Sequence, residues 1–323
     1  VTREAKLGGG ALVLAVVCLG AWYMASARGY LELINPRLPR IFGKIFAAKP
    51  TPPPRMAHLP NLYLWAWERP EDLQFLGNEK VGVAFLAKTI SAVEPKASSE
   101  EASAEKPDAN FVRPRLQPLR IEPGTHLMAV VRIETSRGAA SASYGPGENS
   151  SARISVRQIS AIANEIAITA NIPGVSAVQI DFDATSSEHD FYRALLLEVR
   201  KRLPGKMPLS ITALASWCIG DRWLEQLPAG TIDEAVPMLF RMGQGSAQVT
   251  HYLSSGNDFT VPACMTSLGL STDETLSRGI LSGKIVMGKQ HRAALRVYVF
   301  SPSTWKKAQA EELVKGVQTW HVN

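Results

Sequence analysis

The chain has 323 residues, 46% of them hydrophobic and 20% charged, with seven tryptophans; that is enough apolar material for the core of one large domain or two small ones, and too much for a disordered chain. A formal net charge of +6, with no Lys/Arg block, zinc-finger spacing or RNA-binding signature, argues against nucleic acid as a partner. Three scattered cysteines, Cys18, Cys218 and Cys264, give neither a CxxC metal site nor a disulfide framework; Cys218 and Cys264 either pair in an oxidising compartment or stay buried as inert thiols.

In chain order, the first element is LGGGALVLAVVCLGAWYMASA, residues 7–27, preceded by Arg3 and Lys6. It is uncharged over about the 20 residues that a bilayer core requires and is expected to enter or cross a membrane. It ends in Ala25-Ser26-Ala27, an A-x-A pattern suited to signal peptidase, while its apolar run exceeds most signal-peptide cores. Residues 1–27 are therefore read as a retained transmembrane anchor, with a cleaved signal peptide as the alternative. Arg28, Arg37, Arg40, Lys44 and Lys49 follow the span, and taken literally the charge rule puts the remainder in the cytoplasm. The signal-like architecture points outward instead. The expectation is a barrel facing the periplasm from the inner membrane, or secreted if the segment is cut. Residues 28–60, with KPTPPPR among them, are too proline-rich for a continuous helix and read as a semi-rigid tether.

From residue 61 the chain alternates. Apolar strand-like runs fall at residues 62–67, 81–87, 126–134, 177–183, 209–215, 234–240, 263–270 and 295–300, with helical periodicity at 155–170, 189–203, 273–283 and 303–320. Strands alternating with helices imply parallel pairing through helical crossovers. Eight such units over residues 61–323 match a (β/α)8 TIM-like barrel. A doubly wound open sheet is the runner-up, without a GxGxxG turn to recommend it. Residues 91–110 read as a Ser/Ala/Glu low-complexity insertion, and the Gly/Ser-rich residues 137–151 as a loop placed to act as a lid.

In such a barrel the functional groups gather at the C-terminal ends of the strands. Those ends carry Trp65, Trp67, Glu68 and Arg69; Arg132 and Glu134; Asp181 and Asp183; Trp217; Phe240 and Arg241; and Asp273 with Glu274. The fourth strand, VQIDFDAT at 178–185, is the most telling. Successive strand residues alternate faces, so Asp181 and Asp183 point one way and Ile180 and Phe182 the other. Two like charges on a mostly apolar strand are costly unless a partner or a reaction uses them. Arg132 on the neighbouring strand is the expected counter-charge, with Glu134 approaching Asp183.

Together LYLWAWERPEDL, VVRIETS, VQIDFDAT with YRALLLEVRKRLP, LSITALASWC, GLSTDE and RVYVF resemble the bacterial family known as domain of unknown function 3142, over most of the chain from Leu62 to Phe300. That resemblance implies a glycoside-hydrolase-like barrel without an established activity. The fourth strand is also similar to the DxxDxDxE strand of chitinase-type glycosidases, with Asp181 and Asp183 on its second and third acids. Val178 stands where that motif has its first Asp, and Thr185 where it has the general-acid Glu; Glu188 lies three residues further on.

A glycosidase generally needs one acid to protonate the leaving oxygen and a second carboxylate as nucleophile or base. The expected catalytic set is Asp181, Asp183 and Glu134, with Asp183 or Glu134 as the acid. Arg132, Trp65, Glu68, Trp217, Arg241, Asp273 and Glu274 are the expected substrate-binding residues, Trp65 and Trp217 stacking on sugar faces. Each has a plainer reading: Asp181 in an internal salt-bridge network, Trp217 as packing, Asp273 and Glu274 as acids at a helix N-terminus, His189 and His251 as solvated surface. GxSxG, P-loop and HExxH motifs are lacking, so no cofactor is expected. A divalent cation among the three acids ranks below carbohydrate chemistry. The sequence thus points to an exported, membrane-tethered glycoside-hydrolase-like protein acting on an envelope or extracellular polysaccharide, or to a barrel that binds such a glycan or an envelope partner without cleaving it.

Overall fold

A computed structural model describes residues 54–77, 81–92, 110–135, 156–285 and 296–320. The expected membrane segment at 1–27, most of the tether, the core of the 91–110 insertion and the proposed lid lie outside the described residues. Among the described residues, no helix is long and apolar enough to cross a membrane.

Eleven strands are described: β1 (Leu62–Ala66), β2 (Glu71–Leu73), β3 (Gly82–Ala92), β4 (Asn110–Pro114), β5 (Leu119–Ile121), β6 (Leu127–Thr135), β7 (Val175–Asp181), β8 (Leu209–Leu214), β9 (Glu234–Met238), β10 (Ser267–Ser271) and β11 (Arg296–Phe300). Eight of them close a parallel barrel in the order β1-β3-β6-β7-β8-β9-β10-β11, with β11 returning to β1. Closure excludes the doubly wound open sheet. Helices α1 (Val156–Thr169), α2 (His189–Arg202), α3 (Ala215–Ile219), α4 (Ser246–Ser254), α5 (Thr275–Leu281) and α6 (Lys307–Trp320) follow the last six barrel strands in turn. The first two crossovers use strands instead. The β2–β5 pair forms a small parallel sheet, and β4 runs antiparallel along β3. The third strand of the molecule is therefore longer than its apolar run suggests, extending to Ala92 so that its far half can pair with β4.

The barrel wall follows the period-two rule, with a register shift in β3 between Leu86 and Lys88. On β7, Val178 and Ile180 join the outer core beneath the helices, and Phe182 just past the strand does the same, while Ala177 packs in the inner core with Tyr63, Trp65, Met128, Val130, Val236 and Tyr298. Strands buried on both faces read as almost continuous apolar runs, which is why the parallel sheet was legible. Large inner side chains are accommodated by small ones opposite. A Cβ on Gly82 would lie 2.2 Å from the Tyr63 ring, and one on Gly269 would lie 3.2 Å from Trp65.

Polar groups also fill the inside. Arg296 and Glu234 form an ion pair at 3.0 Å with side chains 3% and 0% exposed. Arg296 also donates to the carbonyls of Pro60 and Met56. Glu234 accepts from Tyr298 and Ser210. Residues 54–60, expected as the end of the tether, instead close the floor of the barrel: Met56 and Leu59 are buried in the inner core, and Arg55 reaches Asp233 at 2.9 Å. Removing one member of so dry a pair strands the other, at a cost of about 3–5 kcal/mol. Glu234→Gln and Arg296→Met are each expected to lower unfolding free energy by that order in urea titrations, whereas the surface change Lys307→Ala should be nearly silent.

Of the two sequence alternatives for the cysteines, the structure has the pair: Cys218 on α3 is joined to Cys264, with Cα atoms 5.7 Å apart and 46 residues of separation. This closes a loop containing β9, and the chain-entropy estimate for that loop is about 4 kcal/mol. The double change Cys218→Ser with Cys264→Ser should lower the urea midpoint accordingly, and reductant should do the same to the wild type alone.

Candidate functional site

At the C-terminal end of the barrel lies a cavity of about 530 Å³, within the usual range for small-molecule sites. Its floor is Trp65 and Gln179, its walls include Trp67, Phe240, Phe300, Met238 and Met242, and its charged lining is Arg132, Asp181, Asp183 and Arg241. Each follows from strand parity. Gln179 and Asp181 are inward residues of β7, with Asp183 following on the same side; Thr212 is inward on β8; Phe300 ends β11 above Tyr298.

Asp181 is the most deeply placed acid, 7% exposed. It accepts from Thr212 Oγ1 at 2.8 Å and lies 3.5 Å from Arg132 Nη1, its register neighbour on β6. Burial nevertheless pushes its pKa up to about 6, with Asp183 adding to the rise and Arg132 and Thr212 opposing it. Asp183 is exposed at the rim yet surrounded by the concave mouth, and this crowding raises its pKa too, against the pull of Arg132. It makes no hydrogen bond or ion pair with another described residue. Glu134 does not approach it. Its carboxylate instead takes Arg132 Nε at 3.1 Å, above the cavity and outside its lining.

Arg132 thus bridges two acids, and its guanidinium also lies 5.6 Å over the ring of Trp67, within cation–π range. Trp67 is itself held in place by Arg115, which donates to the carbonyls of Ala66, Trp67 and Arg69 at the end of β1. Across the mouth, Arg241 adopts a left-handed backbone, φ 55°, a conformation that costs a non-glycine residue energy and that marks functional turns. Glu274 accepts from its backbone N–H at 3.0 Å and Asp273 from its guanidinium at 3.0 Å. The Asp273 carboxyl is held below its usual range, chiefly by the hydroxyl of Ser271.

The other expected site residues are elsewhere. Trp65 is 3% exposed, donates to Gln179 Oε1 at 3.0 Å and stacks on Tyr298, so it is cavity floor, without a free face for a sugar. Glu68 is not part of the cavity lining and pairs with Arg113 at 2.8 Å. Trp217 does not line the cavity; it packs in the outer core against His189, Trp223 and Tyr192. His189, expected on the solvated surface, stacks on Trp223 at 4.7 Å, and burial lowers its pKa. Glu188 is consumed by local structure. It accepts from Thr185 N at 2.8 Å and Thr185 Oγ1 at 2.7 Å, closing a capping box, and from Thr135 Oγ1 at 2.7 Å. Among the described residues no group of three or more His, Cys, Asp or Glu is placed to hold a metal ion; the Arg132 guanidinium already bridges Asp181 and Glu134.

Gln179, Thr212 and Phe300 were not assigned to the site from the sequence, although counting back two residues from Asp181 along the strand would have found Gln179. No protein-family model matches the chain, and no curated protein matches it significantly.

The raised pKa of Asp181 has a signed consequence for stability. Below the ordinary carboxylate range, folded and unfolded chains both carry the proton and no charge has to be buried. As pH climbs from about 4 through 6, the folded chain must bury a charge, and stability falls by up to about 3 kcal/mol. Asp181→Asn should therefore melt higher than wild type near neutral pH, and the gain should vanish toward about pH 4.

Proposed function

We propose that this protein is a carbohydrate-recognising, glycoside-hydrolase-like barrel, exported and held at a membrane by its N-terminal segment, that acts on an envelope or extracellular polysaccharide. One observation carries the reading: Asp181 and Asp183 both line an aromatic-walled cavity at the catalytic end of the barrel, with the Asp181 pKa at about 6. An acid with such a pKa keeps its proton under mildly acidic conditions and can give it to a leaving oxygen, while Asp183, unpaired among the described residues, is the second carboxylate. Phe240, Phe300 and Trp67 provide apolar surface for sugar C–H faces. The disulfide between Cys218 and Cys264 suits an oxidising compartment, and the sequence resemblance points the same way.

A second reading is favoured by the neighbourhood of Thr185. The position of the chitinase-type general acid holds a threonine, and the nearest glutamate, Glu188, is locked by Thr185 and Thr135. On this reading the barrel binds glycan or an envelope partner without cleaving it.

The deciding experiment is a reducing-sugar and glycan-array screen of the full chain beside Asp181→Asn and Asp183→Asn. Hydrolysis predicts sugar release that falls by about 100-fold or more in each variant, with a wild-type rate present below about pH 6 and lost as pH rises through it, because the acid must be protonated. Binding with no release from any glycan would select the second reading. Neither binding nor release would overturn both.

A further inference from the structure

The charges lining the cavity balance in number but not in pairing. Its two lining guanidiniums, Arg132 and Arg241, are both already engaged, the first by Asp181 and Glu134, the second by Asp273, with Glu274 on its backbone N–H. The lining thus holds two carboxylates, Asp181 and Asp183, and two guanidiniums, but both guanidiniums are bonded to acids other than Asp183. Of the two lining carboxylates, Asp181 has Arg132 and Thr212, while Asp183 has neither hydrogen bond nor ion pair to a described residue. An anionic ligand would find no unengaged cation in this lining and would meet Asp183. A neutral ligand would leave Asp183 as it is. A cationic ligand would supply its missing partner, and charge-assisted hydrogen bonds to a carboxylate are about twice as strong as neutral ones.

The walls narrow the choice further. Phe240 and Phe300 lie parallel, 5.6 Å apart and 3° from coplanar, and with Trp67 they give the cavity an apolar, aromatic lining. Aromatic faces attract cations as well as C–H surfaces. The fitting ligand therefore combines a flat apolar face with an ammonium group.

Building on the carbohydrate reading above, we propose that the cavity selects polysaccharide units bearing a free protonated amine, that is, de-N-acylated amino sugars, with the Asp183 carboxylate receiving the ammonium. The acetylated form of the same sugar keeps the C–H face and loses the charge. Uronic acid polymers carry the wrong sign.

The test is calorimetric titration of the full chain at about pH 6, where amines are charged. The probes are tetramers of glucosamine and of galactosamine, their fully N-acetylated counterparts, and tetragalacturonate. The expected result is binding of one free-amine tetramer at least about tenfold tighter than its acetylated counterpart. Asp183→Asn, with an unchanged melting profile, should remove that preference, bringing the affinities for the free-amine and acetylated tetramers within about twofold of each other. Added salt should shrink it in the wild type. Equal affinity for the two forms, or tighter binding of the uronate, overturns the amine selectivity and leaves the carbohydrate reading standing. Binding of none of the five overturns both.

Discussion

The ion pair of Glu234 and Arg296, sealed inside the barrel, is the constraint on which the rest of the structure depends. A buried pair of this kind is weak evidence of net stability, since dehydrating two charges costs several kcal/mol per ion. Its value here lies in what it positions. Arg296 draws the carbonyls of Met56 and Pro60 inward and so shuts one end of the barrel. Glu234 takes the hydroxyls of Tyr298 and Ser210, and Tyr298 stacks between Tyr63 and Trp65. The floor of the cavity is therefore built up from the pair, and the cavity opens at the other end of the barrel.

At that open end the chemistry is set by one cation serving several acids. Arg132 lies level with Asp181 in the β6–β7 register, and this geometry, more than sequence proximity, makes Asp181 its partner. Burial, with the neighbouring Asp183 adding to it, outweighs the compensation that Arg132 and Thr212 give Asp181, and the acid stays protonated to about pH 6. A rigid barrel holds such a mismatch in place; a loop would relax it. The fold alone does not assign a reaction; what distinguishes this barrel is that mismatch inside an aromatic cavity.

How much of this was legible in the sequence depended on parity. The alternation in VQIDFDAT placed Asp181 and Asp183 on one face, and the eight apolar runs placed all eight barrel strands. The same parity, applied to Glu68 and Trp217, assigns both to the outer side: each is an odd number of residues from an inward neighbour, Trp67 for the first and Thr212 for the second. They were grouped with the site because they stand at strand ends, which is a statement about height along the barrel and not about direction. Trp217 is carried further away because the chain turns into α3 at Ala215. Long-range partners were not legible at all. Nothing in the local pattern shows that Glu188 would be spent on Thr185 and Thr135, that β4 would extend β3, or that the proline-rich segment would end by plugging the barrel.

The hydrogen bonds beneath the cavity all run in one sense. The Trp65 indole can only donate, so it fixes the Gln179 amide with its oxygen toward the indole; the Gln179 nitrogen then gives to Ser210, and Ser210 to Glu234. A neutral amide in solution can be turned over to suit whatever it meets. Gln179 has lost that freedom, because reversing it would set donor against donor at Trp65 and break the chain down to the buried anion. The cavity floor is in this respect a template with one handedness of hydrogen bonding, which a ligand must match because it cannot rewrite it.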